Sequence, residues 1–190
     1  MAKARAITGL DLQAPTARNA RIIVRERLAD MYTYTKYIDD PEHTQQLHDL
    51  RIAAKRVRYT LEIFADYLPE ESQGFAEELA TLQDELGEFH DSEVMLALLR
   101  LSLGEALPQR PAHEKTKVLL PSDLVEDVLE PSVTPGETVR QGMALFLKRQ
   151  ELRREQCYTT FRQHWERLEQ DHFQQQIIRM LDRKEDQKQH

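Results

Sequence analysis

Apolar residues recur at helical spacing along most of this chain. The most regular stretch is Leu47 to Asp66, LHDLRIAAKRVRYTLEIFAD. At 100° per residue, Leu47, Leu50, Ala54, Val57, Leu61 and Phe64 share one side of a helix, and Leu68 continues it. This helix is expected to begin at Pro41, a good first-turn residue, to run to about Tyr67, and to stop before Pro69. Thr16 reads as the N-cap of an earlier helix over 17–38, with Ile22, Ile23, Leu28 and Met31 on its apolar side. A third helix is expected over 72–103, facing the core with Phe75, Leu79, Leu82, Leu86, Phe89 and Leu96. A fourth is expected over 137–168, with Val139, Met143, Phe146, Leu147, Cys157, Tyr158, Phe161, Trp165 and Leu168 in apolar contact. A short last helix over 170–181 carries Phe173, Ile177, Ile178 and Leu181. No pair of alternating strands or hairpin turn stands out. The pattern therefore predicts an all-α domain, an antiparallel four-helix bundle-like arrangement with a short extra C-terminal helix.

The segments between these helices set the expected boundaries. Residues 1–15 read as an N-terminal arm, 16–181 as the helical domain, and 182–190 as a charged tail. Five of the eight prolines fall in 104–136, which reads as a long connector with a short helix around Ser122–Leu129.

Polar positions add a second pattern. His48, Arg51, Lys55 and Arg58 step by three, four and three residues, a line about 100° around the second helix from its apolar side. Glu62 continues that line four residues after Arg58, and Arg56 points elsewhere. Arg18, Arg21 and Arg25 form a similar line on the first helix. On the third, Gln83 and His90 lie seven residues apart and nearly eclipsed, with Gly87 on the same side.

Composition narrows what these cations could serve. The net charge is −7, from 26 Lys and Arg against 33 Asp and Glu, so a general nucleic-acid coat is disfavoured. A local basic line on an acidic protein suits a compact, highly charged anion and repels diffuse polyanions at long range. No aromatic residue except Tyr59 interleaves with the line, which also argues against nucleic acid. The single cysteine, Cys157, leaves no internal disulfide and suits a reducing compartment. No apolar run approaches the ~20 residues of a membrane span, and the first twenty or so residues lack the apolar core of a signal peptide. The expected location is cytoplasmic.

Two stretches together carry a resemblance. LHDLRIAAKRVRYTLEIF, followed some twenty residues later by LQDELGEFHDSEV, resembles the CHAD family of histidine-containing helical domains. The likeness is strongest over about Asp40–Leu103; the ELRREQ and FRQHW runs of the fourth helix resemble the end of a CHAD repeat. The resemblance implies a four-helix unit that binds inorganic polyphosphate in a basic channel; the expected function is binding of polyphosphate or a similar oligophosphate, without catalysis. By matching position it implies His48, Arg51, Lys55, Arg56 and Arg58 as ligand groups, with Gln83 and His90 as third-helix partners. Tyr59, Arg21 and Arg25 are further candidates. A location at polyphosphate granules would follow from such a ligand. Family members usually carry two such repeats and this chain has room for one, which a homodimer would make good by symmetry. No cofactor and no dedicated metal site are expected.

The chemistry suits that ligand. Arginine grips phosphate oxygens bidentately and lysine acts as a point charge. A helix repeats such groups every ~5 Å, so a line of cations can follow an extended polyanion. A histidine beside phosphate is favoured in its charged form, so binding is expected to strengthen as pH falls through the histidine range. Three other readings compete. His90-Asp91 could begin a metal-dependent phosphohydrolase site, with His48 and Asp123 or Asp127 as further ligands. His48 with Arg51 loosely fits a phosphotransfer histidine. A scaffolding bundle would leave the basic line as solvated surface.

Overall fold

The structure is a computed structural model that describes residues 6–104 and 136–183. It is all-α: the described residues hold five α-helices and no strand. They are α1 (Thr16–Tyr32), α2 (Thr44–Ile63), α3 (Glu71–Ser102), α4 (Glu137–Gln170) and α5 (Phe173–Asp182). Single 3-10 turns, Thr35–Tyr37 and Ala65–Tyr67, follow α1 and α2. The expected connector helix around Ser122–Leu129 lies outside the described residues. So does most of the connector, along with the tail from 184 onward.

The described residues group into two compact units, and α3 and α4 each run through both. The first unit holds α1, α2, α3 to Leu86, α4 from Thr160, and α5. Its core includes the apolar side of α2, where Leu47, Leu50, Ala54, Val57 and Leu61 are all buried. Leu79, Leu82 and Leu86 of α3, Phe161, Trp165 and Leu168 of α4, and Phe173, Ile177, Met180 and Leu181 of α5 complete it. Phe75 meets Phe173 edge-on with ring centroids 5.5 Å apart, and Tyr32 leans on Trp165 at 5.6 Å. α1 contributes Ala17, Ala20, Val24, Leu28 and Met31. That face differs from the expected one: Ile22 and Ile23 are half-buried, and small alanines let α1 sit close to its neighbours instead.

Helix ends shift for local reasons. α1 stops six residues before the expected Ile38 because threonine hydroxyls bind backbone carbonyls that would otherwise extend the ladder. Thr33 Oγ1 donates to the Asp30 carbonyl at 2.7 Å, and the Thr35 hydroxyl donates to that of Tyr32. α2 begins at Thr44 rather than Pro41. The Asp40 carboxylate accepts the Glu42 backbone N–H at 2.9 Å, closing a turn around Pro41 before helical bonding can start. α2 ends at Ile63, and Leu68 is extended (φ −116°, ψ 159°), the conformation that a following proline demands. His172 sits in the left-handed region at φ 55° and reverses the chain between α4 and α5. Residues at the end of the expected arm are tied to α1: Asn19 accepts the Asp11 N–H at 3.1 Å and donates to the Asp11 carbonyl at 2.7 Å.

The second unit spans 87–159, of which 87–104 and 136–159 are described. Here α3 and α4 meet through polar pairs. Arg100 donates to Glu151 at 2.8 Å, Arg154 pairs with Glu93, and Arg140 reaches the Leu103 carbonyl at 3.4 Å. Phe89 and Tyr158 approach at 5.8 Å, and the Arg154 guanidinium lies 5.3 Å over the Phe89 ring. The expected apolar contacts of Val139 and Phe146 are corrected: their exposures are 56% and 42%. The side of α4 that meets α3 carries Arg140, Glu151, Arg154 and Tyr158, about 60–140° round the helix from those two residues.

Leu50→Ala should cost about 2–5 kcal/mol in urea unfolding, whereas Leu145→Gln on the exposed side of α4 should stay within about 0.5 kcal/mol. A second expectation concerns alkaline pH. Burial pushes the Tyr32 phenol above its ordinary value of 10.0; the nearby Glu169 carboxylate adds to the shift and a hydrogen bond with the Gln174 backbone partly offsets it. A folded-state value above the unfolded one contributes stability below the unfolded value, and that stability is lost as pH rises beyond it. Unfolding free energies at about pH 9 and pH 11 should therefore differ more in the wild type than in Tyr32→Phe.

Candidate functional site

Burial of the apolar side of α2 leaves the line about 100° round that helix at the edge of the core, partly open to solvent. Arg51 is half-buried, and its Nε donates to the Gln83 backbone carbonyl of α3 at 3.3 Å. Lys55 is exposed, with Nζ 5.4 Å from the centre of the Tyr59 ring. The Arg58 guanidinium lies 4.9 Å from the same ring centre, and its Nε stands 3.7 Å from Glu62. Tyr59 is 42% exposed. Among the described residues no carboxylate comes within 4.0 Å of Arg51 or Lys55. Among the described residues, two cations without a carboxylate within 4.0 Å and a third beside one exposed glutamate thus follow one another over two helical turns.

The remaining candidates are placed less uniformly. His48 begins the line, half-buried, one turn before Arg51. Gln83 is 6% exposed, and its amide nitrogen is spent on the Leu79 carbonyl at 2.8 Å. What Gln83 offers α2 is its backbone carbonyl, which orients Arg51. Arg56 turns to α1, where its Nη1 stands 4.0 Å from the carboxylate of Asp30, itself 7% exposed. Arg21 is half-buried on α1, and Arg25 is paired with Asp182 of α5 at 2.5 Å. His90 belongs to the second unit, where its Nδ1 stands 3.6 Å from the Asp91 carboxylate. The structure therefore brings Arg51, Lys55, Arg58 and Tyr59 together, gives Gln83 a supporting place, and engages Arg25 and Arg56 in ion pairs.

Two polar features escaped the sequence pattern. Asp30 is buried beside Arg56 and close to Tyr34. Burial raises the Tyr34 phenol first, the Asp49 and Asp30 carboxylates raise it further, and Arg56 opposes them. His164 is also buried. Its Nδ1 lies 2.8 Å from a carboxylate oxygen of Glu85 and its Nε2 3.0 Å from one of Glu78, both on α3. Its spacing with Phe161, Trp165 and Leu168 was the available signal, since three, four and seven residues place them on one face. Among the described residues, no three His, Cys, Asp or Glu side chains are grouped as a metal ion requires. Asp123 and Asp127, the downstream ligands a phosphohydrolase reading needs, lie outside the described residues.

Comparison with known proteins gives one match. The model of the CHAD domain matches residues 2–100, which is half of the chain and covers α1, α2 and nearly all of α3. No curated protein and no solved structure matches.

The two kinds of cation on α2 should separate by mutation. Arg56→Ala should lower stability by about 1–3 kcal/mol in urea unfolding, because it strips a compensating charge from buried Asp30. Lys55→Ala should stay within about 0.5 kcal/mol.

Proposed function

Since the chain belongs to the CHAD domain family, we propose that it binds inorganic polyphosphate, without turning it over, along the outer line of α2. Association of the family with polyphosphate makes that ligand class the natural one to weigh against the geometry. The supporting observation is the run Arg51, Lys55 and Arg58 on a helix whose apolar side, about 100° round, is locked in the core, with Arg51 and Lys55 lacking any carboxylate within 4.0 Å among the described residues.

In this reading the three cations receive successive phosphate groups. Arg51 has its Nε on the Gln83 carbonyl, which leaves the far edge of its guanidinium for phosphate oxygens. Lys55 supplies a point charge. Arg58 exchanges its loose contact with Glu62 for the stronger charge of the ligand. His48 extends the line by one turn. Arg56 and Arg25 contribute indirectly, Arg56 by compensating Asp30 beneath α2 and Arg25 by joining α1 to α5. The protein's net charge of −7 acts against long, diffuse polyanions, so binding rests on close contact with dense charge.

Charge reversal tests this directly. Lys55→Glu with Arg58→Glu should weaken polyphosphate binding by at least about tenfold, read by calorimetry, with the urea midpoint nearly unchanged. Affinity within twofold of wild type would place the ligand elsewhere.

A further inference from the structure

We infer that Tyr59 is a positioning residue of this site: its ring gathers the Lys55 and Arg58 head groups into the arrangement that receives adjacent phosphates. The inference rests on the polyphosphate reading and adds a role for a side chain that makes no charge contact of its own.

Both cations lie within cation–π range of one ring, Lys55 Nζ at 5.4 Å and Arg58 Cζ at 4.9 Å from its centre. Lys55 is four residues before Tyr59, so the two are stacked neighbours on the helix surface. Arg58 is adjacent in sequence and leaves the helix about 100° away, so its side chain must fold across to reach the ring. It does so with its side chain 25% exposed, between the ring and Glu62. Two like charges gathered this way repel each other, and the electron-rich ring face is what offsets that repulsion. A ligand phosphate then meets two cations already placed, rather than two long side chains that lose their rotamer freedom on binding.

The test compares wild type, Tyr59→Phe and Tyr59→Leu for long-chain polyphosphate affinity across a range of salt concentrations. The inference expects Tyr59→Phe within twofold of wild type, because the ring is retained. It expects Tyr59→Leu to bind on the order of tenfold more weakly, as two side chains regain freedom, with an unchanged slope of log affinity against log salt because every cation remains. NMR of the unliganded wild type should show ring-shifted side-chain methylene protons of Lys55 and Arg58 that lose the shift in Tyr59→Leu. Tyr59→Leu binding within twofold of wild type overturns the inference, as does Tyr59→Phe binding as weakly as Tyr59→Leu, which would assign the effect to the hydroxyl. Wild type that fails to bind polyphosphate overturns the proposed function itself, and this inference with it.

Discussion

The rotation of α2 about its own axis is held by five buried side chains, Leu47, Leu50, Ala54, Val57 and Leu61, each at most 1% exposed. Burying a leucine or valine of this kind is worth roughly 1.5–3 kcal/mol. Turning the helix by one residue position would expose that stripe and push Arg51, Lys55 and Arg58 toward the core, where an uncompensated charge costs several kcal/mol more. The direction of the cation line is therefore a consequence of apolar packing. The cation line needs no separate scaffold, since the same twenty-residue helix supplies both the anchor and the line.

Arginine serves two ends on this one helix. Arg56 and Arg58 are two residues apart and so point about 160° away from each other. Arg56 faces α1 and compensates Asp30, a carboxylate that would be costly to bury alone. Arg58 faces outward, and its carboxylate partner, Glu62, is half exposed on the same helix. An exposed contact of this length contributes little to folding, so Arg58 can give it up to a ligand at small cost. Arg51 is intermediate, oriented by a neutral carbonyl rather than neutralised by a carboxylate. A cation held by buried charge is thus distinguished from one held by weak contacts on this one helix.

Period and breaker residues made the helices legible. The apolar stripe of α2 and the buried leucines of α3 follow helical spacing without exception, and the stop before Pro69 holds. Ends were harder, because they turn on single hydrogen bonds such as Asp40 to the Glu42 N–H or Thr33 to the Asp30 carbonyl, which periodicity does not encode. The start of α4 misled for a different reason: Val139 and Phe146 have helical spacing, but the side that meets α3 is built from Arg140, Glu151 and Arg154. The cation line was legible as a line, since Arg51, Lys55 and Arg58 share a face by arithmetic. Partner choice was not. That Arg25 reaches Asp182, far along the chain, or that the Gln83 amide turns to its own helix, depends on tertiary contacts.

The most direct measurement is a titration of the wild-type protein with long-chain polyphosphate, orthophosphate and single-stranded DNA over a range of salt concentrations. Binding along α2 predicts strong preference for polyphosphate. It also predicts a log affinity that falls with log salt at a slope of about −2, by analogy with three ionic contacts to a single-stranded polyanion. Equal affinity for single-stranded DNA, or no binding to polyphosphate at low salt, would contradict it.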